Sequence, residues 1–218
     1  MPWTKAHEYA KEGKLDCLKY CVENDVKLDN EQLIYDALIG GHIECFNYLR
    51  ENNCPYNEKI CCEVTAENDH IEILKYLHSL GFSWDEKTCC YAASISLDCL
   101  KYAHENGCPW EESTCSYAAH YNNLDCLKYA HEHGCQFGEN ICFSATRNGH
   151  LDCLKYVHQR GSGSYTFICS YAAINGHLEC LKYLHEHGCP WDKNTCSDAA
   201  RNGHLDCLKY AREHGCPE

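Results

Sequence analysis

The sequence predicts an all-α fold, an α-solenoid of eight helix-turn-helix repeats, on three observations. The hexapeptide LDCLKY or a close variant occurs eight times in 218 residues. Its copies start at Leu15, Ile43, Ile71, Leu97, Leu124, Leu151, Leu178 and Leu205, 26 to 28 residues apart. Between copies, small apolar residues recur at helical spacing and are punctuated by Gly and by Cys-Pro turns. Self-similarity at such a period marks stacked units, each too small to bury its apolar face alone.

Each element follows from local chemistry. In the last unit Cys196, Ala199 and Ala200 fall at i, i+3 and i+4, one face of a short first helix. Gly203 stops that helix, because Gly adopts the left-handed cap without strain. A second helix begins at about His204, with Leu205, Cys207, Leu208 and Tyr210 giving a broad apolar face, and Gly215 ends it. A Cys-Pro-Trp-Asp turn, as at Cys189 to Asp192, cannot continue a helix and sends the chain to the next unit. On this pattern the array is a single domain over 1–218 with repeats 3–29, 30–57, 58–85, 86–111, 112–138, 139–165, 166–192 and 193–218.

Asp98 with Lys101, Asp152 with Lys155 and Asp206 with Lys209 stand at i, i+3 on second helices and read as a solvated charged face. The polar first helix, Lys5 to Glu12, reads as an N-terminal cap. Nothing similar follows Gly215, so the array is expected to end on a partly exposed apolar face or to be continued by further sequence. Two units are irregular. The fourth lacks one residue and its Gly-His, reading Ser94-Ile95-Ser96-Leu97, and the turn after the sixth is Gly161 to Tyr165 in place of GCPWD; either is expected to kink the solenoid.

Composition narrows the function. The net charge is −13, and the 19 basic residues are scattered, which disfavours nucleic acid and anionic membrane as partners. No apolar run approaches the length of a membrane span, and MPWTKAHEYAKEG has no signal-peptide character. An odd count of 21 Cys with no export signal points to free thiols in a reducing cytosol.

The run Ala199-Ala200-Arg201-Asn202-Gly203-His204-Leu205 resembles the AA-x-x-GHL core of ankyrin repeats, and Gly188 to Trp191 takes the place of the ankyrin GADV turn. The resemblance covers all eight units. Ankyrin repeats are about 33 residues long; the units here are shorter between the tryptophan turn and the next first helix, so the β-hairpin fingers should be shortened or absent. The TPLH opening is also replaced, as by Thr195-Cys196-Ser197-Asp198. Cys-rich units with GHLDCLKY and GCPWD resemble the ankyrin-type arrays that giant viruses of amoebae encode. The resemblance implies a local hydrogen-bonding role for the histidine at the start of the second helix. It also implies a concave surface lined by first helices, where ankyrin proteins usually bind.

Three Cys columns run along the array. Cys62, Cys89, Cys115, Cys142, Cys169 and Cys196 lie in first helices; Cys17, Cys45, Cys99, Cys126, Cys153, Cys180 and Cys207 in second helices; Cys54, Cys108, Cys135, Cys189 and Cys216 in turns. His104 with Cys108, His131 with Cys135 and His185 with Cys189 are i, i+4 pairs of types that suit zinc. Against a metal, Cys gives way to Ile73 in second helices, to Val26, Phe82 and Ser162 in turns, and to Ile34 and Ala6 in first helices. Mostly apolar substitutes favour packing, so no metal or other cofactor is expected; metal binding or redox sensing through these columns is the alternative function. Every Cys-His relation recurs, so no unique nucleophile and base stand out and no catalytic residue is expected.

The function expected is that of a non-catalytic scaffold that binds a partner protein, with the chain itself a monomer. If viral, it is an adaptor for a host protein in the host cytosol, although no F-box-like segment is visible. Tyr20, Tyr48, Tyr76, Tyr102, Tyr129, Tyr156, Tyr183 and Tyr210 never vary and read as core or core-edge residues. First-helix positions away from Cys and Ala vary: one column reads Asp36, Val64, Tyr91, Tyr117, Ser144, Tyr171, Asp198, and another Ile39, Glu67, Ser94, His120, Arg147, Ile174, Arg201. Variation that folding does not need marks recognition, and aromatic residues with Arg suit interface hot spots. Tyr91, Tyr117, His120, Tyr121, Phe143, Arg147, Tyr171 and Ile174 are the candidate partner-binding residues, with partial burial as packing residues the other reading of the tyrosines.

Overall fold

The computed structural model describes residues 2–24, 27–161, 168–191 and 193–217; Val26, Ser162 and the turn from Ser162 to Tyr165 lie outside them. The described residues form sixteen α-helices and no strand, so no hairpin finger occurs among them. The chain divides into two compact units, 1–110 and 111–218. The first holds the pairs α1 (Pro2–Lys11) and α2 (Leu15–Glu23), α3 (Gln32–Ile39) and α4 (Ile43–Glu51), α5 (Glu58–Glu67) and α6 (Ile71–Ser79), α7 (Glu86–Ile95) and α8 (Leu97–Glu105). The second holds α9 (Glu112–His120) and α10 (Leu124–Glu132), α11 (Ile141–Arg147) and α12 (Leu151–His158), α13 (Ile168–Ile174) and α14 (Leu178–Glu186), α15 (Lys193–Arg201) and α16 (Leu205–Glu213).

Within each unit, first helices pack against first helices and, more thinly, second helices against second helices. The core between them is built from Leu18, Phe46, Leu74, Leu100, Leu127, Leu154 and Leu181 of the second helices and from the Ala and Cys of the first helices, all buried except Ala200. Each buried Leu contributes roughly 1.5–3 kcal/mol, and the small first-helix residues let neighbouring helices approach closely.

Histidine joins successive pairs. The imidazole Nε2–H of His70, His150, His177 and His204 donates to a carbonyl near the end of the preceding first helix: Ile39 at 2.9 Å, His120 at 2.8 Å, Arg147 at 2.9 Å and Ile174 at 3.1 Å. None of these side chains caps its own helix, which corrects the local role that the sequence implied. The ring also sits on the glycine of the pair before it. A Cβ on Gly149 or Gly176 would lie 2.5 Å from Nδ1 of His177 or His204. Where the histidine is missing, Ser96 and Asn123 cap their own helices, accepting from the amides of Cys99 and Cys126. Ser96 is at once the end of α7 and the start of α8, which is how the fourth repeat does without a residue.

A second tie is aromatic. His78, His104, His131 and His185 lie flat on the aromatic residue of the following turn, Trp84, Trp110, Phe137 and Trp191, at 3.7 to 4.2 Å between ring centres. The Tyr of the next pair then meets that histidine: the hydroxyls of Tyr102, Tyr183 and Tyr210 lie 2.8 to 3.0 Å from Nδ1 of His78, His158 and His185. Tyr20 departs from the expected core-edge role and is 66% exposed, because no pair precedes it among the described residues to supply that histidine. Leu205, at the start of α16, is 70% exposed.

The charged face is partly as anticipated. Glu72 with Lys75 and Glu179 with Lys182 pair at 2.8 Å, whereas Lys209 pairs with Glu213 at 3.9 Å. Such exposed pairs contribute little.

The histidine seat sets an order among glycines. Gly176 and Gly203 have nearly equal positive φ, 74° and 75°, but only Gly176 faces an imidazole. Gly176→Ala is expected to lower the urea midpoint more than Gly203→Ala, each destabilising by at least about 1 kcal/mol. Adding His204→Ala should narrow the gap; equal midpoints for the two single variants would refute the seat.

Candidate partner-binding face

Seven of the eight candidate residues lie in the second unit; Tyr91 is on α7 of the first, half-buried. Tyr117, His120 and Tyr121 occupy the last turns of α9 and the residue after it, Phe143 and Arg147 are on α11, and Tyr171 and Ile174 on α13. None is in the core. Tyr117, Phe143 and Ile174 are half-buried and the rest exposed, Tyr121 at 53% and Tyr171 at 39%. Partial burial of Tyr91 and Tyr117 fits the packing reading in part; Tyr121 and Tyr171 face water.

The side chains form two groups. The His120 and Tyr121 rings are 4.8 Å apart and Tyr117 lies 6.1 Å from Tyr121. Phe143 meets Tyr171 edge-on at 4.5 Å, and the Arg147 guanidinium stands 6.0 Å from the Phe143 ring centre. The first group surrounds a recess of about 280 Å³ lined by Ser116, Tyr117, His120, Tyr121 and Ser144. Asn148 Nδ2 donates to Nδ1 of His120 at 3.1 Å and to the Ser144 carbonyl at 2.8 Å. With Nδ1 accepting, the imidazole proton is on Nε2.

Ser116, Ser144 and Asn148 escaped the sequence reading. A signal existed for Ser144: it is the one small residue between Tyr117 and Tyr171 in a column that holds Tyr91, Tyr117 and Tyr171. Small residues draw no attention in a search for hot spots.

Tyr121 carries a second signal. Asn68, Asn148, Asn175 and Asn202 occupy its position in other repeats, and each side chain donates at 2.8 to 2.9 Å to the carbonyl four residues back. Tyr121 gives up that bond, typically about 1 kcal/mol, and exposes an aromatic ring instead.

The cysteines are occupied as small buried donors. Twenty of the 21 are buried. Turn thiols donate to the backbone at the start of their own first helix, Cys108 to Asp85 at 3.2 Å and Cys135 to Glu111 at 3.0 Å. First-helix thiols reach the turn, Cys89 to the Cys108 carbonyl at 3.9 Å and Cys169 to that of Cys189 at 3.8 Å. Burial pushes the thiols of Cys99, Cys153 and Cys180 up to about 11 and Cys62 up to about 12, so thiolates are scarce at neutral pH. No group of three or more His, Cys, Asp or Glu suited to a metal occurs among the described residues, and His104, His131 and His185 stack on aromatic rings.

Helix pairs of this length, ended by positive-φ glycines and tied by GHL histidines, have a family counterpart. A family model described as ankyrin repeats (3 copies) matches residues 145–217, and one described as ankyrin repeats (many copies) matches residues 115–158. Residues 115–217 are similar to ankyrin repeats. Those matches take in nearly all of the second unit, and the first unit is made of the same helix pair in the same order. No curated protein matches the chain. Ankyrin repeats generally mediate protein–protein interaction and are typically non-catalytic, which implies a protein partner. Among the described residues no helix is long and apolar enough to cross a membrane.

Two solution properties follow. Cys17, on α2, alone is exposed, so a thiol reagent should label one Cys quickly in the native protein and Cys17→Ser should abolish that phase; several fast thiols would contradict the packing of the columns. Burial lowers the His150 imidazole below its usual range, aided by His120 and His177 and opposed by the bond to the His120 carbonyl, and it lowers His158, aided by His187. The unfolded chain therefore binds protons more readily at these sites. Their contribution is full above the ordinary histidine pKa, about 6.5, and is lost as pH falls below it; urea midpoints at pH 7.5 should exceed those at pH 5.5, by less in His150→Ala.

Proposed function

We propose that this protein is a non-catalytic, monomeric scaffold that binds a partner protein on the first-helix face of its second unit, the side that the ankyrin likeness makes concave. Tyr121 carries the reading: the repeat has exchanged a helix-ending hydrogen bond for an exposed aromatic ring beside a recess. Stability does not reward that exchange; binding does, since aromatic residues and Arg supply most hot spots. His120, Phe143, Arg147, Tyr171 and Ile174 extend the surface along α9, α11 and α13, and Tyr91 offers a further aromatic contact on the first unit.

The repeats' likeness to the Cys-rich arrays of amoebal giant viruses supports a more specific role, that of an adaptor in the host cytosol whose partner is a host protein. The test uses host cytosol with wild-type protein and the variants Tyr121→Ala, Phe143→Ala and Arg147→Ala. A partner identified by mass spectrometry should bind each variant at least tenfold more weakly, about 1.4 kcal/mol, and should bind Lys209→Ala, altered on a second helix, as it binds the wild type. Unchanged affinity across the first-helix variants would place the interface elsewhere.

A further inference from the structure

We infer that the recess between α9 and α11 is a pocket for one aromatic side chain of the partner, a tyrosine or tryptophan presented by an exposed segment. The inference rests on the first-helix face being the binding surface. Its first support is the position of the recess. Along the run α7, α9, α11 and α13 the column reads Tyr91, Tyr117, Ser144, Tyr171, so an aryl ring stands on three of these four first helices and Ser144 on α11 leaves the space open. The opening is what a missing ring leaves behind.

Size and chemistry narrow the occupant. A volume of about 280 Å³ falls just below the roughly 300–1,000 Å³ of small-molecule pockets, and it suits a single large side chain. The walls offer the aryl rings of Tyr117 and Tyr121, and aromatic pairs are worth about 0.5–1.5 kcal/mol beyond burial. Hydrogen-bonding groups border them: the hydroxyls of Ser116 and Ser144, and His120, whose Nε2 carries the proton because Asn148 donates to Nδ1. No Asp, Glu, Lys or Arg lines the recess. A charged side chain would be desolvated there without a counter-charge, whereas a purely aliphatic one would leave the Ser144 hydroxyl and the His120 imidazole unanswered. A phenol or indole satisfies both demands, apolar on its faces and polar at one edge. Arg147, near Phe143 one turn beyond Ser144 on α11, is placed for the backbone or acidic residues flanking such an anchor.

Ser144→Tyr fills the recess with the protein's own ring. The variant should fold, because tyrosine occupies the equivalent position on α7, α9 and α13; circular dichroism and the urea midpoint verify this. Tyr121→Ala is the companion variant, which removes a wall without filling the space. Peptides are selected from a random displayed library on the wild-type full chain, and their affinities for both variants are measured. The selected peptides are expected to share one Tyr or Trp, to bind Ser144→Tyr at least tenfold more weakly, and to lose a similar amount when that residue is changed to Leu or Arg. Peptides weakened by Tyr121→Ala and Arg147→Ala but bound equally by Ser144→Tyr would overturn the aromatic pocket and leave the first-helix interface standing. A shared Arg, Lys or aliphatic anchor would overturn it as well. Peptides indifferent to all three changes, or no selected peptide, would refute both readings.

Discussion

At four boundaries between helix pairs the stack depends on one hydrogen bond, from the imidazole of His70, His150, His177 or His204 at the start of a second helix to a main-chain carbonyl of the first helix in the pair before. A helix of about nine residues is marginal alone, and a single pair buries too little to stand by itself. The histidine settles both problems. It satisfies one of the carbonyls that the end of a helix leaves without a partner, and its ring covers the left-handed glycine that ends that helix. Gly149 lies under His177 and Gly176 under His204, so a side chain on either glycine would be strained in backbone and in packing at once. Asp69 and Asn122 take the glycine's place at φ of 57° and 62°, as short Asx residues can.

The same logic explains the cysteines. A column in a tightly spaced stack needs a side chain small enough for close approach that still offers a weak donor to nearby backbone. Serine would bury a stronger polar group, and leucine would force the helices apart. Cys135 donating to the Glu111 carbonyl and Cys89 reaching the Cys108 carbonyl fasten each first helix to its own turn. Internal variation had pointed the same way, since Ile34, Ala6 and Ile73 replace Cys at equivalent positions.

The helix pairs were readable in the sequence because they rest on local signals: glycines at both helix ends, Cys-Pro turns and a repeating apolar face. Contacts between repeats were harder to read. His177 and Arg147 are 30 residues apart, and in an array where every position recurs, a bond within one repeat and a bond to the next leave the same trace. That ambiguity is why the histidine was expected to act locally. The histidine, turn-tryptophan and tyrosine columns were visible separately, while their union in one aromatic stack needed coordinates. At the binding face the large residues were legible and the space between them was not. Ser144 counts through what it leaves unfilled, which depends on the neighbouring rings being in place.

A scaffold tied through main-chain carbonyls also explains where sequence can vary. His150, His177 and His204 hold residues 120, 147 and 174 by their backbone oxygens, so the bond is indifferent to the side chains there. Histidine, arginine and isoleucine occupy these positions in successive repeats while the tie stays the same. Had the tie used side chains, changing the binding face would loosen the stack. Because it uses the backbone, the residues that bring repeats together and those free to meet a partner share the same positions without competing. At Tyr121 the freedom goes one step further: the hydrogen bond given up there belonged to the helix end and not to the inter-repeat tie, so the ring could be exposed while His150 kept α9 in place.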